Sequence, residues 1–155
     1  MTTTLLDATA VVRTCVFALA GEALAFDVRC VREVAVFEDW TTLPLAPAHV
    51  LGVANLRGDV MPIVDARPLL GLPAGRGDER RLRTLVMAAD GLEAALVMDG
   101  VTSLEAYTEV VEAAGTRYAS WALGLLGGQD RPIPLLDASR LLAALRPGAR
   151  PAAAA

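Results

Sequence analysis

The sequence predicts an all-β protein built from two similar five-stranded barrels related by a pseudo-twofold, with a short helix at the C-terminal end. Three observations carry this expectation. First, the 155-residue chain, 54 % hydrophobic and 21 % charged, breaks into short apolar runs punctuated by turn residues, the pattern of strands and hairpins. Second, the two halves match. At an offset of 70, segment 13–34 aligns with 83–104 through Arg13/Arg83, Thr14/Thr84, Val16/Val86, Ala18/Ala88, Gly21/Gly91, Ala25/Ala95 and Val31/Val101. At an offset of 72, segment 51–70 aligns with 123–142 through Leu51/Leu123, Gly52/Gly124, Pro62/Pro134, Asp65/Asp137, Ala66/Ala138, Leu69/Leu141 and Leu70/Leu142. Two copies are too few for a solenoid, which stacks many. Third, the strongly polar stretch GLPAGRGDERRL at 71–82 divides the chain almost in half. It places a first unit at about 12–82 and a second at about 83–146, within one domain. Barrel closure suits units of this size because it removes exposed edges. Neither unit has enough apolar surface for a large core, so the two should pack face to face.

The elements follow in order. Residues 1–11 read as a loose arm. Apolar runs near 13–20, 22–28, 31–37, 51–55 and 59–65 supply the first set of strands, and runs near 83–90, 93–99, 101–107, 122–127 and 131–136 the second. Turns are expected at Gly21-Glu22, Arg57-Gly58-Asp59, Asp90-Gly91 and Gly127-Gly128. Each half then ends alike. In PIVDARPLLG, Asp65 is placed to cap a short helical turn that stops at Gly71. In PLLDASRLLAALRPG, Asp137 caps a longer helix whose Leu141, Leu142 and Leu145 share a face, and Pro147-Gly148 stops it. The proline- and alanine-rich tail, 147–155, should be frayed.

Composition excludes several functions. All fourteen cationic residues are arginine and the net charge is −4, which argues against binding a nucleic-acid backbone. No apolar stretch reaches the roughly 18 residues of a membrane span, and no basic residue precedes Arg13 to begin a secretory signal. A cytoplasmic protein is expected. Cys15 and Cys30 have no CxxC partner and read as small buried hydrophobes. A phosphate loop of the GxxxxGK[ST] type is impossible without lysine. His49, the single histidine, has no Cys, Asp or Glu beside it to complete a metal site and reads as a loop residue before a strand. No cofactor or metal is expected. Asp65 and Asp137 invite comparison with a two-carboxylate hydrolase, but each is followed by Ala-Arg or Ala-Ser rather than the hydroxyl-glycine turn such dyads use, so capping is the better reading. Trp40 and Trp121 stand near the start of the matched second blocks, suited to closing a barrel end or the seam, or to anchoring a partner.

The richest stretch is 51–72. Gly52 permits close backbone approach at a strand's onset. Asn55-Leu56-Arg57-Gly58-Asp59 reads as a tight hairpin whose Arg57 could hold a carboxylate in bidentate fashion, with Glu33 in VREVAV as candidate acceptor. The run GVANLRGDVMPIVDARPLLG resembles the signature of the CheW family, the coupling proteins of bacterial chemosensory arrays. The likeness extends through VFALAGEALAFDVRCVREV and LVMDGVTSL to LGLLGGQDRPIPLLDASRLL, over about 13–146. The resemblance implies SH3-like barrels with a shared apolar seam and a non-catalytic adaptor. Its partners would be the cytoplasmic helical tip of a chemoreceptor and the regulatory domain of a CheA-type histidine kinase, at receptor arrays on the inner face of the membrane. It implies receptor-binding roles for Val31, Glu33, Asn55, Leu56, Arg57, Gly58, Val101 and Leu104, and a partner-surface role for Gly52 and Gly124. A divergent member that binds only one of these partners, in a non-flagellar pathway, is the alternative.

Overall fold

A computed structural model describes residues 3–5, 11–75, 80–127 and 131–147. The chain runs through β1 (Thr3–Leu5), β2 (Val12–Leu19), β3 (Glu22–Asp27), a 3-10 turn (Val28–Cys30), β4 (Val31–Phe37), β5 (Val50–Leu56), β6 (Asp59–Val64) and α1 (Arg67–Leu70). It continues through β7 (Leu82–Ala89), β8 (Leu92–Val97), β9 (Gly100–Tyr107), β10 (Glu109–Val111), β11 (Ala122–Leu126), β12 (Ile133–Leu136) and α2 (Ala138–Leu145). The predicted strand runs are all present. Two short strands were not foreseen. β1 lies within the expected loose arm, and β10 lies in a largely polar stretch. They pair with each other, Thr4 opposite Val110, and such three-residue pieces carry too little alternation to be read from sequence. Of the expected tail, 148–155 lies outside the described residues, as does Gly128 of the last predicted turn.

Two curled sheets result, ordered β4-β7-β8-β6-β5 and β1-β10-β11-β12-β3-β2-β9. The duplication maps β4, β7, β8, β6 and β5 onto β9, β2, β3, β12 and β11. The order of the five-stranded sheet thus recurs inside the seven-stranded one. The pseudo-twofold is obeyed down to irregularities. The parallel contact Ile63–Ala95 repeats as Leu135–Ala25. The register shift between Val50 and Gly52 repeats between Ala122 and Gly124. The shift between Val31 and Glu33 repeats where β9 passes from Val101 to Ser103.

One expectation needs correction. The sheets are not the chain halves 12–82 and 83–146. The β2-β3 hairpin of the first half sits in the sheet of the second, and the β7-β8 hairpin sits in the sheet of the first. The physical reason is the duplication itself. Two near-identical hairpins have near-identical faces and edges, so each fits the other's place, and the exchange ties the units together.

The cores follow from this weave. Each sheet curls around a small cluster of its own: Ile63, Val86 and Val97 with Phe37 in one, and Val16, Leu126 and Leu135 in the other. The larger core lies between the sheets. There Phe17, Leu24 and Phe26 meet Val64, Leu85, Met87 and Leu96, and the Leu141, Leu142 and Leu145 face of α2 closes it. Phe17 and Phe26 stack with centroids 5.3 Å apart. Fully burying each such side chain contributes about 1.5–3 kcal/mol. Trp40 packs on the small core of the five-stranded sheet and Trp121 on the shared core. Cys15 is buried and Cys30 half-buried; burial raises both thiol pKa values.

The helix ends split the two matched aspartates. Asp137 caps α2 by accepting the Arg140 N–H at 3.1 Å. Asp65, expected to cap α1, lies one residue too early; Ala66 holds the cap position without a side-chain bond. Asp65 instead accepts the Arg67 N–H at 3.0 Å and grips the Arg67 guanidinium through both carboxylate oxygens. Pro68 in the first turn of α1 has no N–H to cap. α1 stops at Gly71 in the left-handed region, as expected.

Candidate functional site

The site grows from one hairpin tip. Leu56 is paired with Asp59, so Arg57 and Gly58 are the two central turn residues. Both have positive φ, 52° and 92°, the type I′ geometry that matches the twist of a hairpin. Asn55 supports the tip by accepting the Gly58 N–H on its Oδ1 at 2.8 Å. Leu56 turns inward onto the small core of the five-stranded sheet. The tip is therefore fixed from both sides, and Arg57 stands 73 % exposed at its apex.

Arg57 is held by Glu33. Nη1 donates to Oε2 at 2.8 Å and Nη2 donates to Oε1. Glu33 lies on β4 and Arg57 follows β5, the two outer strands of the five-stranded sheet. The ion pair thus links the two outer strands of the sheet. The bulge between Val31 and Glu33 shifts β4 against β7 just before the carboxylate, a use common where a side chain must be re-aimed. A pair this exposed contributes about 0–1 kcal/mol to stability. Its effect is to hold a planar guanidinium in one orientation. The second unit has no such pair: the residue matching Glu33 is Ser103, and Gln129, which matches Arg57, lies outside the described residues.

The remaining expected residues divide. Val31 is half-buried against the shared core. Val101 and Leu104 are exposed, 40 % and 71 %, on β9, the outer strand of the other sheet. Leu104 lines a recess of about 210 Å³ with Arg13, Thr14 and Val28, the last just ahead of β4. That recess does not include Val31 or Val101, so Leu104 alone of the three contributes to it. Glu33 lines another recess, of about 870 Å³, toward the β7-β8 tip, crossed by the Arg32–Glu93 ion pair at 3.1 Å.

Gly52 and Gly124, expected at a partner surface, lie within the fold. Both are buried. A Cβ on Gly52 would collide with the carbonyl oxygen of Thr41, and one on Gly124 would lie 2.7 Å from that of Val111 and strike the Val110 side chain. In each unit a neighbouring strand passes too close for any side chain. The Thr41–Val53 bridge of one matches the Val111–Leu125 pair of the other.

Sequence reasoning passed over Val34 and Val36, each 51 % exposed, and Val60, 72 % exposed. Val36 and Asn55 line one recess, and Val60 pairs with Asn55, so Val36 and Val60 both lie beside the residue that supports the Arg57 tip. The signal was present in VREVAVF. Once Ala35 and Phe37 face inward, Val34 and Val36 must face out. His49 precedes β5 as expected; its carbonyl accepts the Asp65 N–H at 2.7 Å, as Trp121's accepts that of Asp137. The two aspartates are engaged separately, by Arg67 and by the start of α2, which leaves the hydrolase reading without its shared pair.

These features define a class: a two-sheet β protein with an ion-paired arginine at an exposed hairpin tip and exposed valines on the strands beside it. The comparisons give the family. The CheW-like domain matches residues 13–146, and the chain belongs to that family. The chain is 30 % identical to the chemotaxis protein CheW of Rhizobium meliloti (strain 1021), over 78 % of this chain and 81 % of that one. It is 28 % identical to the chemotaxis protein CheW of Thermotoga maritima, over 81 % and 84 %. Its fold matches the crystal structure of the scaffolding protein TtCheW from Thermoanaerobacter tengcongensis with a TM-score of 0.72, at 24 % identity, over 83 % of this chain and 90 % of that one. No helix among the described residues is long and apolar enough to cross a membrane.

Proposed function

We propose that this protein is a non-catalytic adaptor that joins the cytoplasmic tip of a chemoreceptor to the regulatory domain of a CheA-type histidine kinase. Membership of the CheW-like family supports the reading. The observation that carries it is the Arg57–Glu33 pair at the hairpin tip. A helical receptor tip offers an amphipathic face with i, i+3, i+4 anchors. Exposed Val34 and Val36 on the Glu33 strand and Val60 opposite Asn55, with Val101 and Leu104 on the other sheet, offer apolar contact. Arg57, already ordered by Glu33, meets an acidic group without the entropy loss of a free side chain. In this reading Val31, Asn55 and Gly58 act by shaping the edge and the tip, and Leu56 by anchoring it.

The test is a pair of titrations, one with a receptor signalling fragment and one with the kinase regulatory domain. Both bind the native chain. Arg57→Ala weakens receptor binding about tenfold, equivalent to about 1.4 kcal/mol, more than it weakens kinase binding, with the melting temperature unchanged. Equal loss of both, or unfolding, refutes the assignment. Binding of a single partner by the native chain replaces it with a one-partner adaptor.

A further inference from the structure

A recess on the second unit has chemistry that the first unit lacks. Its volume is about 650 Å³, between the β2-β3 turn, the loop after β10 and the start of β12. Ala23, Leu125, Ile133 and Pro134 give it an apolar floor, and Arg117 and Arg131 line it as cations. Both arginines are exposed. Among the described residues neither is paired with a carboxylate, whereas Arg29, Arg32, Arg57, Arg67 and Arg81 all are. Glu22 also lines the recess, but its carboxylate accepts the Tyr118 hydroxyl at 3.2 Å, which ties the loop to the β2-β3 turn and stiffens the wall.

The duplication shows what is special here. At the offset of 72, Pro134 matches Pro62, which preserves the strand, but Arg131 matches Asp59. A charge has been inverted on a conserved frame, in a chain whose net charge is −4. We propose that this recess binds an acidic, apolar segment of a partner protein: a carboxylate between Arg117 and Arg131, with a neighbouring aliphatic side chain on the Leu125–Ile133 floor. Two guanidinium groups select a carboxylate over an amide through charge-assisted hydrogen bonds. The apolar floor selects a peptide over a bare anion. The surface is separate from the Arg57 tip, so it leaves room for a second contact.

The test follows backbone amide signals of the isotopically labelled full chain while the capped peptide Ala-Leu-Glu-Leu-Ala is added. The expected result is shifts at Ala23, Tyr118, Leu125 and Ile133, with at least about tenfold weaker binding for the Ala-Leu-Gln-Leu-Ala peptide and for Arg131→Ala. Arg117→Ala with Arg131→Ala abolishes binding while Arg57 and Gly58 signals stay in place. Absence of shifts, equal binding of the two peptides, binding unaffected by Arg131→Ala, or shifts centred on the Arg57 tip overturns the proposal. Inorganic phosphate that competes for the same signals as strongly as the peptide also overturns it, because the site is then a simple anion site.

Discussion

At the scale of single residues, charge and space do different work. Glu33 and Arg57 contribute order to a surface and little to stability. Glu33→Gln keeps the shape and one acceptor but removes the charge, so receptor binding falls less than with Arg57→Ala while the melting temperature holds. Gly52 and Gly124 behave in the opposite way. Gly52→Ala or Gly124→Ala forces a methyl into a strand backbone and costs about 1–3 kcal/mol or more. At about 2–4 °C per kcal/mol for a chain of this size, a thermal melt detects it, and binding of the fraction still folded is retained. The chain's two tyrosines report their surroundings. Burial and a nearby carboxylate, Glu105 for Tyr107 and Glu22 for Tyr118, push both up to about 12. The folded state then holds its phenol protons where the unfolded chain has begun to lose them. Stability therefore falls as pH rises from about 10 towards 12, and Tyr118→Phe flattens part of that decline in an alkaline denaturation series.

At the scale of elements, most of the local structure was readable, and the failures have local causes. The turns at 57–58 and 90–91 were marked by positive-φ-tolerant pairs, and the structure bears them out; the first turn is centred on Ala20-Gly21, one residue earlier than Gly21-Glu22. α2 was legible because its cap, apolar face and stop all agree. Asp137→Ala removes one bond to the helix start and costs about 1 kcal/mol, measurable by denaturant unfolding, without displacing the Leu141–Leu145 face. α1 misled because PIVDARPLLG carries the same aspartate signal but its chain turns one residue later. Asp65 and Arg67 are both nearly buried, so Asp65→Ala removes the carboxylate that grips the guanidinium and lowers stability by a few kcal/mol, on the order of 3, in the same assay. Matched sequence thus produced matched carbonyl contacts at His49 and Trp121 but unmatched aspartate partners.

At the scale of the whole molecule, the exchanged hairpins control cooperativity. Each sheet needs strands from both halves, and the largest core lies between the sheets. Fragments cut in the 71–82 stretch therefore lack a cooperative thermal transition when separate, and regain one when mixed; independently folding halves would contradict this strand order. The site is likewise a product of the whole. The Arg57–Glu33 pair could be guessed because both residues break apolar runs, but Val31, Val101 and Leu104 were grouped through resemblance, and the structure brings only Leu104 into a recess at the turn before β4.

By itself the sequence determined the local state of the chain: strands by alternation, tight turns by residues that tolerate positive φ, helix ends by caps and stops, and the existence of two related units. Only the tertiary structure decided which hairpin joins which sheet and which neighbouring strands pass close to Gly52 and Gly124. The reason is symmetry. In a duplicated chain a hairpin finds the same edge and the same apolar face in its own half and in the other, so local pattern is indifferent to the choice. Three-dimensional closure, with chain connections and a shared core to satisfy at once, is not.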